Sequence, residues 1–200
     1  MKIQSAKIIR PIVTGFTLLL LDFLTKYIVN LKLPFEKVQQ TFLPFLLLYR
    51  THNTGYHFLF GPIENHFIWA MAGLIFVILL IASLVHTLMK EEFDHFNFTI
   101  YAVILSLTIG ASGNVLEILI YGRATDFFIF KPFPWPSNLC DQYINAILYI
   151  TLPIIIIRAM IDRKRQKKNL SVTDQSNSSE ASSAPTGVSG ETGHLKDRDD

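Results

Sequence analysis

Four long apolar stretches constrain this chain more than any other feature of its sequence. They cover about residues 8–29, 67–89, 96–120 and 139–160. Each is long enough to cross the roughly 30 Å hydrocarbon core of a bilayer as an α-helix, whereas a helix of a soluble protein needs only one apolar stripe. The sequence therefore predicts an all-α membrane protein with four transmembrane helices.

The composition argues against several kinds of site. The single cysteine, Cys140, cannot form a disulfide within the chain, and the histidines show no H-E-x-x-H pattern. We therefore expect no metal site and no cofactor. A net charge of +2 is too small to indicate nucleic acid binding, so the expected surroundings are membrane lipid. We expect the protein to be a monomer.

The segments outside the spans differ in character. The apolar run 42–49 is too short to cross as a helix and contains Pro44, so we expect a small β-containing segment on the membrane surface. Beyond residue 162 the chain is first basic and then polar, with very few apolar residues. Such a composition cannot offset the entropy cost of ordering, so residues 163–200 are expected to form a disordered tail.

Lysine and arginine positions predict the orientation. One side of the spans carries Lys2, Lys7, Arg10, Lys90 and the basic run 163–168, and the other carries Lys32, Lys37, Arg50, Arg123 and Lys131. Cytoplasmic flanks are richer in positive residues, so both termini and the tail should be cytoplasmic. The segments 30–66 and 121–138 should then face outward.

Two carboxylates stand out beside the spans, where an ionisable group is costly. Asp126 follows the third span and Asp141 begins the fourth, and the prolines between them exclude a crossing helix. Both should therefore lie on the outward side. Two carboxylates in a low-dielectric site share a proton, as in aspartyl proteases, where one acts as general base and the other as general acid. The spacing alone is also compatible with solvated interfacial carboxylates, with the ion site of a small transporter, or with a non-catalytic assembly factor.

Five short motifs follow one another along the apolar part of the chain. They are Asp22, Thr25 and Lys26; Asn53, Gly55 and Phe58; Gly110, Gly113 and Asn114; Gly122, Asp126 and Phe127; and Asn138 with Asp141. In this order they resemble the D-x-x-[ST]-K, R-N-x-G-x-x-F, G-G-x-x-G-N, G-x-x-x-D-F and F-N-x-A-D patterns of the bacterial lipoprotein signal peptidase (signal peptidase II) family. Each motif alone is unspecific, but all five occur in register with the four spans.

The resemblance implies a function and a place for it. It implies a membrane aspartyl endopeptidase that removes the signal peptide from diacylglyceryl-modified prolipoproteins, cleaving before the lipidated cysteine. Asp126 and Asp141 would be the catalytic dyad that activates water. Residues 1–162 would be a four-helix transmembrane peptidase domain in the bacterial inner membrane, with its active site toward the extracytoplasmic face.

A further set of residues is expected to bind substrate or support the dyad: Asn53, Gly55, Asn114, Asn138, Asp22, Lys26 and Arg123. The asparagines can hydrogen-bond the substrate or the carboxylates, or can cap helices and turns. The glycines permit close backbone approach, and for Gly113 we expect contact with a neighbouring helix. Asp22 and Lys26 are spaced for a structural ion pair on one helical face.

The chain also departs from the family patterns. Glu117 and Ile118 stand where the family usually has Asp-Arg, so an expected arginine is missing. Arg123 is a candidate replacement, although it could equally anchor a helix end among lipid headgroups. Further departures are His52, Ala111, Ser137 and Cys140. These changes suggest an altered substrate or inhibitor preference.

Overall fold

The structure, a computed structural model, describes residues 2–54, 56, 57, 61, 62, 65–90, 93–133 and 135–182. Over these residues the helices are α1 (Lys2–Lys32), α2 (His66–Lys90), α3 (His95–Ala111), α4 (Gly113–Tyr121), α5 (Leu139–Ala146) and α6 (Leu152–Ser182), with a π-helical turn at Ile147–Thr151. The strands are β1 (Val38–Gln40), β2 (Leu46–Asn53), β3 (Tyr56–His57), β4 (Gly61–Pro62) and β5 (Ala124–Phe130). One compact unit extends to Ile155 and a second begins at Ile156.

The four predicted spans are confirmed. The helical segments that are long and apolar enough to cross a bilayer are Lys7–Lys32, Phe67–Lys90, His95–Tyr121 and Leu139–Lys167. Many of their large apolar side chains are exposed, among them Leu20 at 68 % and Phe76 at 65 %. Contact with lipid tails removes the cost that such exposure has in water. The architecture is that of a multi-pass membrane protein.

The third span consists of two helices rather than one. Helix α3 ends at Ala111 and α4 begins at Gly113, and the hydroxyl of Ser112 between them donates a 2.7 Å hydrogen bond to the Ile109 carbonyl. Helix α4 ends at Gly122, whose φ of 71° is left-handed. Glycine adopts this conformation without a Cβ clash, so the chain can leave α4 and enter β5 directly.

Helices α1 and α3 pack closely within the first unit. A Cβ added at Gly15 would lie 2.7 Å from Cβ of Ile109, so the two backbones approach at a distance that only glycine permits. The Ser106 hydroxyl on α3 donates a 2.9 Å hydrogen bond to the carbonyl of Pro11 on α1. Ile109 also belongs to the apolar cluster that α1, α3 and α2 form, which includes Leu84 and Leu88.

A three-stranded antiparallel sheet with the order β1-β2-β5 lies at the end of the helices. The predicted β content after the first span is confirmed by β2. The third strand, β5, was not predicted, and it comes from the connection after α4. The register pairs Thr51 with Asp126 and Asn53 with Ala124, with an irregularity between Leu48 and Thr51. The sheet therefore joins both connections that we expected to face outward.

Helix α6 extends beyond the fourth span into the segment for which the sequence predicts a disordered tail. Helix α6 continues through Ser182, so the described residues 163–182 are helical. Lysine, arginine and glutamine in the basic run are good helix formers, and local propensity favours continuation of a helix that has already begun. Residues 183–200 lie outside the described residues.

Candidate active site

Asp126 lies on β5 with its carboxylate buried. The Asn138 side-chain amide donates a 2.6 Å hydrogen bond to Oδ1 of Asp126, and the Asn53 side chain on β2 also bonds to this carboxyl group. Burial, and then the nearby charge of Asp141, raise the pKa of Asp126 to about 7, against the opposing effect of the two asparagines and Lys26. This carboxyl group can therefore hold a proton near neutral pH.

Asp141 is held at the start of α5 by a capping box. The Asn138 backbone N–H donates to Oδ2 of Asp141 at 2.9 Å, and the Asp141 backbone N–H donates to Oδ1 of Asn138 at 3.2 Å. A carboxylate at the first turn of a helix also interacts favourably with the helix dipole. Local sequence therefore fixes the position of Asp141.

Asn138 connects the two aspartates. Its amide nitrogen contacts Asp126, while its amide oxygen and backbone N–H contact Asp141, and the residue is fully buried. The bridge brings β5 and the start of α5 together, although the chain leaves and returns between them. The two carboxyl groups therefore lie close enough for one residue to contact both, while their location on the outward side of the membrane stays a prediction.

A buried network continues from Asp141 into the helices. The Asn114 side chain donates a 3.1 Å hydrogen bond to Oδ1 of Asp141 and accepts one of 2.6 Å from Nζ of Lys26. Lys26 forms ion pairs of 2.8 Å with Asp22 and 2.9 Å with Glu117. Asp22, Lys26 and Glu117 are all buried. Each of these charges has an oppositely charged partner, which offsets the cost of removing the charge from water.

The sequence was compared with known proteins. The profile of a family described as signal peptidase (SPase) II matches residues 14–161. The lipoprotein signal peptidase of Thermodesulfovibrio yellowstonii is 32 % identical over 147 residues, which cover 71 % of this chain and 91 % of that protein. The lipoprotein signal peptidase of Mesorhizobium japonicum is 27 % identical over 155 residues, which cover 74 % of this chain and 84 % of that protein.

The chain belongs to the signal peptidase II family. It is therefore a membrane peptidase of that family. A solved bacterial membrane enzyme, determined by the in meso method at 1.9 Å resolution, superposes with a TM-score of 0.57 and 19 % identity. The match covers 75 % of this chain and 92 % of that one, which supports the fold.

Several residues that match the family motifs contact one another or the two aspartates. Asp22 and Lys26 form the expected ion pair on α1. Gly113 contacts neighbouring helices as expected, because a Cβ there would lie 2.7 Å from Oδ2 of Asp22 and 2.8 Å from Sγ of Cys140. Asn138 is both a helix cap and a contact of Asp126. Gly55 and Phe58 lie outside the described residues.

The departures from the family motifs have different surroundings. The Arg123 side chain is exposed and forms no hydrogen bond or ion pair with the described part of the chain. Its charge lies near His52 and, after burial, helps to lower the pKa of that imidazole, as does Arg50. The replacement of the missing arginine by Arg123 stays a prediction. Cys140 is buried against Gly110, whose carbonyl lies 3.4 Å from its sulfur.

The sequence did not reveal the role of Thr125 and Glu117. Both oxygens of the Glu117 carboxylate accept hydrogen bonds from Thr125, at 3.0 Å from its backbone N–H and 2.6 Å from its hydroxyl. The position of Glu117 within an apolar span indicates that this carboxylate needs a buried cation as its partner, but it does not identify that cation. No local pattern identified Thr125, since its partner is on another element.

Proposed function

We propose that this chain cleaves diacylglyceryl-modified prolipoproteins immediately before the lipidated cysteine, with Asp126 and Asp141 as an aspartyl dyad. The observation that carries the proposal is the Asn138 bridge, which contacts both carboxyl groups, that of Asp126 being buried and that of Asp141 partly buried. Membership of the signal peptidase II family supports the reaction, and the relatives' name, lipoprotein signal peptidase, supports the substrate class.

The environments of the two carboxyl groups suit different roles in the resting enzyme. Asp126 holds the shared proton, consistent with its pKa of about 7. We assign the role of general base to Asp141, because backbone and Asn114 N–H groups donate to its two oxygens. Charge-assisted hydrogen bonds and the helix N-terminus both favour the carboxylate form. The pair nevertheless titrates as a unit.

The reaction then follows from this distribution of the proton. Asp141 removes a proton from a water molecule as the water oxygen attacks the scissile carbonyl carbon, and Asp126 donates its proton to the carbonyl oxygen. The tetrahedral intermediate collapses when Asp141 passes its proton to the leaving nitrogen and the C–N bond breaks. Asp126 recovers a proton from a hydroxyl group of the intermediate as the C=O bond of the new carboxyl group forms, so the dyad returns to its starting state.

The site is proposed to face the extracytoplasmic side of the bacterial inner membrane, with both termini in the cytoplasm. Positive residues at the opposite ends of the spans support this orientation. An exported, lipid-anchored substrate would reach this side within the bilayer. One chain is sufficient for the proposed chemistry, because it supplies both aspartates and the Asn53, Asn114 and Asn138 contacts.

The test is cleavage of a diacylglyceryl-modified prolipoprotein by the purified full-length chain. Asp126→Asn and Asp141→Asn should each lower kcat by at least about 100-fold, because an amide cannot act as acid or base. Asp162→Asn is the matched control, since Asp162 is partly exposed and pairs with Arg158. Wild-type turnover in either dyad variant, at equal protein abundance, would exclude the proposed dyad.

A further inference from the structure

A buried ionic cluster beneath the dyad has a feature that the proposed chemistry does not use. Lys26 contacts both Asp22 and Glu117, yet Glu117 makes more than this ion pair. Its Oε2 also accepts from the Thr125 backbone N–H at 3.0 Å, and its Oε1 accepts from the Thr125 hydroxyl at 2.6 Å. A simple counter-ion for a buried lysine would not need these two strand contacts.

The first route from Glu117 leads to Asp126. Thr125 immediately precedes Asp126 on β5 and is fully buried. Successive side chains on a strand point to opposite faces, so fixing Thr125 on one face fixes the direction of Asp126 on the other. Two hydrogen bonds to one residue restrain both its backbone and its side chain. Glu117 thereby anchors the part of β5 that carries the carboxyl group.

The second route leads to Asp141. Lys26, paired with Glu117 at 2.9 Å, donates to the Asn114 oxygen at 2.6 Å. That contact fixes which end of the Asn114 amide faces the lysine, so its nitrogen is left to donate to Asp141 at 3.1 Å. The partners of Glu117 among the described residues are Lys26 and Thr125 rather than the two aspartates, so it acts on both aspartates through other residues.

We propose that Glu117 is a positioning residue for the dyad, acting on Asp126 through Thr125 and on Asp141 through Lys26 and Asn114. This inference rests on the proposed function, since it assumes that the two aspartates do the chemistry. It also gives a role to a position at which this chain departs from the family pattern. The extra methylene of glutamate, compared with aspartate, lets the carboxylate span from Lys26 to the strand.

The test compares three substitutions in the purified full-length chain on lipid-modified prolipoprotein. Glu117→Gln should lower kcat about 10- to 100-fold with little change in KM, because small displacements of catalytic groups are costly. Thr125→Val keeps the backbone N–H contact with Glu117 but removes the hydroxyl, which donates to Glu117 and also accepts a 3.3 Å hydrogen bond from the Asn30 side chain. This variant should lower kcat roughly tenfold. Glu117→Asp keeps the charge but shortens the reach, so its kcat should fall while its pH profile stays unchanged.

The pH profile provides a readout that a merely structural role would not move. Glu117→Gln leaves Lys26 less compensated, and the charge of Lys26 lowers the pKa of Asp126. The alkaline limb of kcat/KM should therefore move to lower pH by roughly one unit in Glu117→Gln, and should not move in Thr125→Val. Thr108→Val is the matched control, because Thr108 is a buried threonine whose hydroxyl has no hydrogen-bond partner among the described residues.

The outcomes separate this inference from the proposed function. An inactive wild-type chain, or an active Asp126→Asn variant, would overturn the dyad itself. If the wild-type chain is active and Asp126→Asn is inactive, a normal kcat in both Glu117→Gln and Thr125→Val would overturn the positioning role alone. A loss in Glu117→Gln with an unmoved limb and a normal Thr125→Val variant would also overturn it. If the Glu117→Gln protein does not accumulate, the kcat of Thr125→Val is compared with that of Thr108→Val. A lower kcat in Thr125→Val supports the positioning role, and an equal kcat overturns it.

Discussion

Substitution of Asn138 tests the bridge between the two aspartates. Asn138→Ala removes the 2.6 Å hydrogen bond to Asp126 and the acceptor of the 3.2 Å bond from the Asp141 N–H. The backbone N–H of residue 138 remains and can still donate to Oδ2 of Asp141. The variant therefore removes the Asn138 contact with Asp126 but keeps one of the two Asn138 contacts with Asp141.

The expected magnitudes follow from these contacts. Loss of the helix cap should lower the free energy of unfolding by about 1 kcal/mol. The lost hydrogen bond to the buried Asp126 carboxyl group, which keeps its bond to Asn53, should lower it by about a further 1 kcal/mol. The lost hydrogen bond favoured the charged form of Asp126, so its removal raises the pKa of Asp126 above the present value of about 7. A hydrogen bond worth about 1.4 kcal/mol corresponds to roughly one pH unit.

The assay is kcat/KM for lipid-modified prolipoprotein between about pH 5 and 9, with thermal unfolding in detergent measured in parallel. In the proposed mechanism catalysis requires the proton on Asp126, so kcat/KM of the wild type should fall as the pH rises through about 7. In Asn138→Ala this alkaline limb should move up by roughly one unit, while the maximal rate falls about 10- to 100-fold because Asp126 is less well oriented.

Asn138→Ser is the matched control. Serine is a good N-cap, so it keeps much of the helix stability, but it lacks the amide that donates to Asp126. Its limb should therefore move as in Asn138→Ala, with an unfolding free energy closer to that of the wild type. An unmoved limb in both variants would refute the argument that the Asn138 bridge controls protonation of Asp126.

Three further predictions follow from the spans and the packing. A reporter fused after Arg165 should be cytoplasmic and one inserted near Lys131 should be outside; the opposite labelling would separate the site from exported substrate. Deletion of residues 170–200 should leave turnover within about twofold of the full chain at equal abundance, since the composition of that segment favours no packed structure. Gly113→Ala should reduce thermal stability by about 1–3 kcal/mol, because its Cβ would lie 2.7 Å from Asp22 Oδ2 and 2.8 Å from Cys140 Sγ. Unchanged melting of Gly113→Ala would show that these neighbours move aside easily.

The spans and the capping of Asp141 could be predicted because both depend on nearby residues. Hydropathy over about 20 residues identifies a transmembrane helix whatever the rest of the chain does. Asn138 and Asp141 have the short spacing from which the capping box forms. The pairing of Asp22 with Lys26 has the same local origin, one turn of α1.

Strand β5 and the continuation of α6 were less accessible to sequence reasoning. Residues 124–130 become a strand because they pair with β2, which is far away in sequence, so no local signal reports the partner. For α6, the polar composition beyond residue 162 predicts a disordered tail and does not indicate how far the preceding helix continues, which is through Ser182. Composition describes the capacity to form a core, and a helix can be extended without one.

The sequence by itself determined the four segments that are long and apolar enough to cross a membrane, and it predicted that Asp126 and Asp141 lie on the same side of it. Only the tertiary structure decided that Asn138 joins these carboxyl groups and that Glu117 contacts Thr125 as well as Lys26. The physical reason is the range of the interactions. Hydrophobicity is a property of each segment in its solvent, whereas a hydrogen bond or a buried ion pair exists only when separate elements bring two atoms within about 3 Å.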